Sequence, residues 1–189
     1  LRSLSIDAPR IRARFPRRIR PTDLRRPNFS DDGLIAHYEF EGTSGAVVDS
    51  TGNFPGINAG AVRGVPGKVG SAFQFDGANS HVDTIPAASI PVISTVSMWI
   101  HPDSHPDEQR SMQIFGSIEN ASGGKDGFTV NWHSEIGHDD ISHKYFMDNS
   151  RMSYAHTTPD SLVRNQWSHV AFVTDVDMVS VYIDGTLQG

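Results

Sequence analysis

A short polar segment, Asp49-Ser50-Thr51-Gly52-Asn53, combines a carboxylate, an amide and a glycine. Calcium takes about six to eight oxygen ligands from carboxylates, amides and backbone carbonyls. Glycine lets the backbone of such a loop turn tightly. The segment is therefore a candidate calcium loop, with Asp49 and Asn53 as its side-chain ligands. The same residues also fit an Asx-type turn, in which polar side chains accept hydrogen bonds from nearby backbone N–H groups.

A second polar cluster lies between residues 133 and 143. It contains His133, His138, Asp139, Asp140 and His143. Imidazole and carboxylate groups can bind Zn²⁺ or another transition ion. The spacing of these residues matches no metal-binding motif whose ligand geometry we can justify. The sequence therefore favours a solvated loop here.

The sequence gives little support for an active site. No serine lies in a G-x-S-x-G turn. Glycosidases use two carboxylates across a cleft. Glu39 and Glu41 alternate near the end of the first predicted strand, but no third acid follows in register. We therefore expect a protein that is not an enzyme.

Aromatic residues are the candidates for ligand contacts. Glycan binding uses exposed rings beside groups that hydrogen-bond to hydroxyls. Among the aromatic and histidine side chains, we predict that Tyr145, Tyr154 and His156 contact the ligand. Large aromatic residues also dominate the cores of sandwich proteins. The three tryptophans, Trp99, Trp132 and Trp167, are accordingly predicted to lie in the core.

The charge of the chain is unevenly distributed. Residues 1–26 contain nine Arg and two Asp, whereas the whole chain has a net charge of −6. The remainder is thus strongly acidic, which disfavours nucleic acid as a partner. Prolines interrupt the basic segment, so residues 1–31 are predicted to be a disordered leader or linker before a domain at 32–189. No apolar run is long enough for a transmembrane helix.

The elements that would position these side chains are short strands. Residues 95–101 alternate in hydrophobicity, as do residues 168–174 and 179–183. Asp184-Gly185 is a strong hairpin turn signal. About ten to twelve such strands, with 17 Gly and 11 Pro and without a long amphipathic helix, predict an all-β, two-sheet antiparallel sandwich, or jelly roll. We expect Ala72–Phe75 and Ser80–Thr84 to form a hairpin.

Six motifs in order resemble a known family. This chain is similar to the laminin-G-like, concanavalin A-like lectin/glucanase jelly rolls of large bacterial extracellular proteins. The motifs are Y-E-F-E-G (38–42), D-S-T-G-N (49–53), G-S-A-F-Q-F-D-G (70–77), V-S-M-W-I-H-P-D (96–103), W-S-H-V-A-F (167–172) and V-Y-I-D-G (181–185).

The resemblance implies a non-catalytic, secreted or cell-surface module that binds a glycan or protein ligand, as part of a larger multidomain chain and without membrane insertion. It also implies that the 49–53 loop and the F-D-G turn lie at the same end of the sandwich, so that Asp49, Asn53 and Asp76 bind Ca²⁺. Family members usually continue past the V-Y-I-D-G turn, so the C-terminal strands are expected to be missing here.

Three readings remain open at this stage. The domain is either a recognition module or a structural, adhesive spacer without a small ligand. A relative of the family's glycoside hydrolases is a third reading. The glucanases of the superfamily carry E-x-D-x-E on one strand, and this sequence contains no such triplet.

Overall fold

The chain folds into an antiparallel β-sandwich in a computed structural model. The structure describes residues 4–12, 33–86, 89–103, 110–117, 127–135, 138–147, 150–175 and 178–189, with only the backbone for β1 and for parts of β8 to β11. The strands in these ranges are β1 Leu4–Arg12, β2 Leu34–His37, β3 Ile57–Ala59, β4 Val62–Pro66, β5 Ser71–Phe75, β6 His81–Asp83, β7 Ser94–Pro102, β8 Arg110–Ser117, β9 Gly127–Glu135, β10 His138–Met147, β11 Ser150–His156, β12 Ser168–Thr174, β13 Val179–Ile183 and β14 Thr186–Leu187.

Two main sheets organise the strands. The large sheet has the order β14-β13-β12-β7-β1-β5-β4, and β2 also pairs with β1. The small sheet has the order β11-β10-β9-β8, while β3 and β6 form a separate pair. None of the described residues forms a helix with the length and apolar character needed to cross a membrane. The predicted all-β sandwich is confirmed.

The core lies between the inner faces of the two sheets. In β7, Val96, Met98 and Ile100 are buried, while the residues between them are half-buried. The small sheet contributes fully buried side chains such as Trp132 and Val130. Burying one large apolar side chain contributes about 1.5–3 kcal/mol, so this period-two pattern holds the sheets together.

The end of the chain forms the meander that its sequence predicts. Strands β12 and β13 have the predicted bounds, and β12 also pairs with β7. Asp184 and Gly185 both have positive φ, 48° and 81°. A type I′ turn requires this geometry at both central positions, which explains the Asp-Gly pair.

The first described strand differs from the expected leader. Leu4–Arg12 forms β1, between β7 and β5 in the large sheet, rather than lying outside the sandwich. Its ladder with β7 is irregular between Asp7 and Arg10, and Pro9 lies in this interval. A bulge accommodates a residue that cannot donate to a ladder, so the proline does not prevent the strand. Residues 13–32 lie outside the described part of the chain.

Two further expectations need correction. Strand β6 pairs with β3, so Ser80–Thr84 is not the hairpin partner of Ala72–Phe75; β5 instead pairs with β4 and β1. The polar cluster of residues 133–143 is not a solvated loop, because it spans the end of β9 and the start of β10, which pair with each other.

Candidate functional site

The carboxylate of Asp49 binds its own loop. Its Oδ1 accepts hydrogen bonds from the backbone N–H groups of His37 (2.8 Å) and Thr51 (3.0 Å). Its Oδ2 accepts them from Thr51 Oγ1 (2.6 Å) and from the backbone N–H groups of Asn53 (3.2 Å) and Phe54 (3.0 Å). Burial alone would raise the pKa of Asp49, but these donors outweigh burial and lower it. The contacts are those of an Asx-type cap.

The carboxylate of Asp76 caps a second, exposed turn. Its Oδ1 accepts hydrogen bonds from the backbone N–H groups of Ala78 (2.9 Å), Asn79 (3.0 Å) and Ser80 (2.9 Å), and from Ser80 Oγ (2.8 Å). These hydrogen bonds, that of the Ser80 backbone most strongly, hold the pKa of Asp76 well below its usual range. The hydrogen bonds of the turn therefore stabilise the ionised form of this carboxylate.

The two capped turns lie at different ends of β1. Asp49 lies beside the end of β2, which is paired to β1 at Arg10, whereas Asp76 follows β5, which ends opposite Leu4. Six residues of extended strand separate these positions by roughly 20 Å. The expectation that both turns share one end of the sandwich is therefore not met. The three predicted ligands do not fit a shared calcium site.

Strand β10 divides the polar cluster between two faces of the small sheet. Ile141 and His143 face the core, whereas Asp140, Ser142 and Lys144 alternate with them on the opposite side. We define this opposite side as the outer face. For His133 and His138, the structure describes the backbone alone.

Two of the predicted ligand contacts meet on the outer face. The register pairs Tyr154 with Lys144 and His156 with Ser142. The rings of Tyr154 and His156 stack with centroids 5.8 Å apart, and Lys144 Nζ lies 5.5 Å from the Tyr154 centroid. Tyr154 is 46% exposed. His156 Nε2 lies 3.1 Å from Asp140 Oδ1. The result is an exposed aromatic pair surrounded by charged groups.

The third predicted ligand contact lies elsewhere. Tyr145 is half-buried and packs against the core on the inner face of the small sheet. It lines a cavity of about 170 Å³ with Val92, Phe128 and Thr174, among other residues. Tyr145 is therefore separated by the sheet from Tyr154 and His156.

The inward-facing members of the cluster have structural partners. His143 is 1% exposed and forms edge contacts with Phe128 and Phe172 at 6.1 and 5.8 Å. Its Nε2 lies 3.3 Å from Thr174 Oγ1. Burial lowers the pKa of His143 to about 4, while hydrogen bonding to the Ser180 backbone opposes the shift. His143 is thus a neutral core residue at pH 7.

Asp139 lies near the start of β10, beside the buried Trp132. It accepts hydrogen bonds from Trp132 Nε1 (3.2 Å) and from Arg164 Nε (2.7 Å). Burial raises the pKa of Asp139, and the hydrogen bond from Trp132 opposes this shift. The period-two alternation of β10 is the signal that separates Asp139 from Asp140. It becomes informative only once the segment is assigned to a strand.

The tryptophans have different environments. Trp132 is fully buried, as predicted. Trp99 is half-buried on the large sheet, with its ring 5.3 Å from the His169 ring and 5.0 Å from Lys68 Nζ. Trp167 is also half-buried, with its ring 5.3 Å from that of His101. Trp99 and Trp167 are thus not the fully buried core residues that the sequence predicts.

The sandwich fold agrees with the family to which the sequence is similar. A family model, the laminin G type described as the concanavalin A-like lectin/glucanases superfamily, matches residues 76–189, more than half of the 189-residue chain. The chain belongs to this family. No curated protein and no solved structure matches it. The outer face lies inside the matched region, whereas Asp49 and Asn53 precede it.

The side chains that the structure describes include no group of three His, Asp or Glu residues that could hold a metal ion. Domains of this family bind carbohydrates or proteins and are generally non-catalytic and extracellular. The family therefore supports a binding module, without specifying its ligand.

Proposed function

We propose that this domain is a non-catalytic recognition module that binds a glycan on the outer face of the small sheet. The observation that carries the proposal is the stacked pair of Tyr154 and His156, with Tyr154 46% exposed. An exposed ring offers a flat apolar surface to one face of a sugar. The adjacent Lys144 is available to hydrogen-bond to its hydroxyl groups.

The surroundings of Tyr154 favour a preformed site. A cation–π contact with Lys144 and the stack with His156 restrict the orientation of the phenol ring. All three residues lie on two neighbouring, hydrogen-bonded strands rather than on a long loop. A ring that is already ordered loses little conformational entropy when a ligand binds, which favours affinity.

We place this function in a larger, secreted or cell-surface protein, as is typical of the family. Calcium has no part in the proposal, because Asp49 directs both carboxylate oxygens, and Asp76 its Oδ1, to its own loop. Catalysis has none either, since the sequence lacks the E-x-D-x-E triplet of the glucanases.

Glycan-array binding by the wild-type domain and by Tyr154→Ala tests the proposal. The half-buried Tyr182 on β13 of the large sheet provides the matched control, Tyr182→Ala. We expect Tyr154→Ala to weaken glycan binding at least about tenfold, as loss of an aromatic anchor does, while the control retains it. The same binding in excess chelator measures any contribution from calcium.

Three other outcomes would contradict the proposal. No binding to any glycan favours the spacer reading, and equal losses in the two variants place the ligand elsewhere. Release of reducing sugar from a β-glucan panel would support the hydrolase reading.

A further inference from the structure

We propose that the cavity lined by Tyr145 is a second binding site, which takes a small molecule with one six-membered ring and a hydroxyl group, of the phenol class. This site goes beyond glycan recognition, because the cavity lies on the inner face of the small sheet and Tyr154 lies on the outer face. It also assigns a ligand to Tyr145, the predicted contact that the outer face does not include.

The cavity lies between the inner faces of the two sheets, at one end of β7 and β12. On the large sheet, Ser94 at the start of β7 pairs with Thr174 at the end of β12. On the small sheet, Phe128 of β9 pairs with Tyr145 of β10. All four residues line the cavity. Two hydroxyl-bearing side chains of one sheet therefore face two aromatic rings of the other.

Small residues leave this space open. The inner-face positions farther along β7 are occupied by Val96, Met98 and Ile100, whereas the first is Ser94. Gly127, which begins β9, also lines the cavity and has no side chain to fill it. Protein interiors are otherwise packed as densely as organic crystals, so a gap of this size is a feature of the fold that a ligand can fill.

The segment before β7 forms the entrance to the cavity. Ile90, Pro91 and Val92 line it, and Val92 is 44% exposed, whereas Ser94 and Thr174 are buried. A ligand can therefore enter from solvent beside Val92 and reach the buried hydroxyl groups without separating the sheets.

The volume and the aromatic lining of the cavity suit a single ring. Apolar cavities of about 150 Å³ in proteins bind benzene, so a cavity of about 170 Å³ accommodates one ring with a small substituent. Phe128 and Tyr145 offer such a ring the offset or edge-on contacts that aromatic pairs prefer. The Phe128 ring is itself packed against Phe115 and His143, at centroid distances of 5.5 and 6.1 Å, so this wall of the cavity is well supported.

The buried hydroxyl group of Thr174 favours a polar substituent on that ring. Thr174 is 5% exposed, and its Oγ1 lies 3.3 Å from Nε2 of His143. A hydroxyl group has one donor and two acceptor positions, so Thr174 can hydrogen-bond with His143 and still accept a hydrogen bond from a ligand O–H. Among the described lining residues, only Ser94, Thr174 and Tyr145 carry hydroxyl groups and none carries a charge. This favours one hydroxyl group over a sugar, whose many hydroxyl groups would lack partners.

Titration of the wild-type domain with phenol, followed by two-dimensional NMR, tests the site. We expect one phenol per chain, with shifts at Phe128, Tyr145 and Thr174. Thr174→Val should weaken phenol binding about three- to tenfold, as the loss of one neutral hydrogen bond does, and should leave the binding of toluene, which has no hydroxyl group, unchanged. The matched control is Thr95→Val, because Thr95 follows Ser94 in β7 and lies on the opposite face of the sheet. This control should retain the wild-type affinity for both compounds.

The proposal is overturned if the wild type binds neither compound, or if the shifts are confined to Tyr154 and His156. An equal loss of phenol affinity in Thr95→Val, or an equal loss of phenol and toluene in a folded Thr174→Val, would also contradict it. Circular dichroism checks that each variant is folded. If Thr174→Val does not fold, Val92→Trp decides, since a larger side chain at the exposed entrance should abolish phenol binding and unchanged binding would contradict the site. Tyr154→Ala should lose glycan binding and keep phenol binding, so the two proposals can fail separately.

Discussion

Acid should destabilise this domain through His143, and replacing that residue should remove the effect. The imidazole is 1% exposed between Phe128 and Phe172, so protonation would place a charge in the core. Burial accordingly lowers its pKa from 6.5 to about 4. Thr174 Oγ1 and the Ser180 backbone are its polar neighbours, and neither is a charged group that would stabilise the imidazolium ion.

The sign of the effect follows from proton binding. Between pH 6.5 and pH 4 the unfolded chain protonates His143, whereas the folded domain does not. The free energy of unfolding therefore falls as the pH decreases through this window, and above pH 6.5 His143 contributes no pH dependence. Each pH unit in the window corresponds to about 1.4 kcal/mol, so a decrease from pH 6.5 to 5 costs about 2 kcal/mol.

Urea unfolding of the wild type and of His143→Leu, at several pH values between 5 and 7.5, measures the difference. Leucine has no charge to titrate, so the variant should lose about 2 kcal/mol less than the wild type over this range. Other titrating groups affect both proteins equally and cancel in the difference. Parallel pH profiles for the two proteins would refute the buried, neutral state of His143.

Two further predictions concern the Asp49 carboxylate and two glycines with positive φ. Asp49→Asn should lower the free energy of unfolding by about 2–4 kcal/mol in the same urea assay. The reason is that an amide cannot replace both carboxylate oxygens, which together accept five hydrogen bonds. The control is Asp83→Asn at an exposed carboxylate, which should change the free energy of unfolding by less than about 0.5 kcal/mol. Gly116→Ala should cost more than Gly185→Ala, although both glycines have positive φ, since a Cβ at Gly116 would lie 2.3 Å from Phe128 O and one at Gly185 would meet no atom within 4 Å. Equal melting temperatures for the two alanine variants would contradict this steric reasoning.

The strands that sequence reasoning predicts well are those with a local signal. In β7 and β12, every second residue is buried, so hydrophobic alternation alone indicates both the strand and its inner face. The turn at Asp184-Gly185 is local for the same reason, because two positive φ values require those residue types.

Strands whose stability depends on distant partners are harder to predict. Strand β1 is basic and contains Pro9, yet it pairs with β7, some ninety residues later in the chain. The sequence of residues 4–12 contains no local feature that identifies β7 as the partner strand. The same limit applies to the 49–53 loop, since its sequence fits both a calcium loop and a cap. The N–H groups that surround Asp49 in the fold give it the contacts of a cap, and the sequence of the loop does not show them.

The candidate site shows why residue types alone are ambiguous. Four of the five residues in the polar cluster are within six positions of one another, but the pleat of β10 places Asp139 and His143 on one face and Asp140 on the other. His156 joins Asp140 from β11, sixteen residues away. Candidate site residues are therefore best grouped by the strand face that they share. The register of the strands defines that face, and the order of the residues in the sequence does not show it.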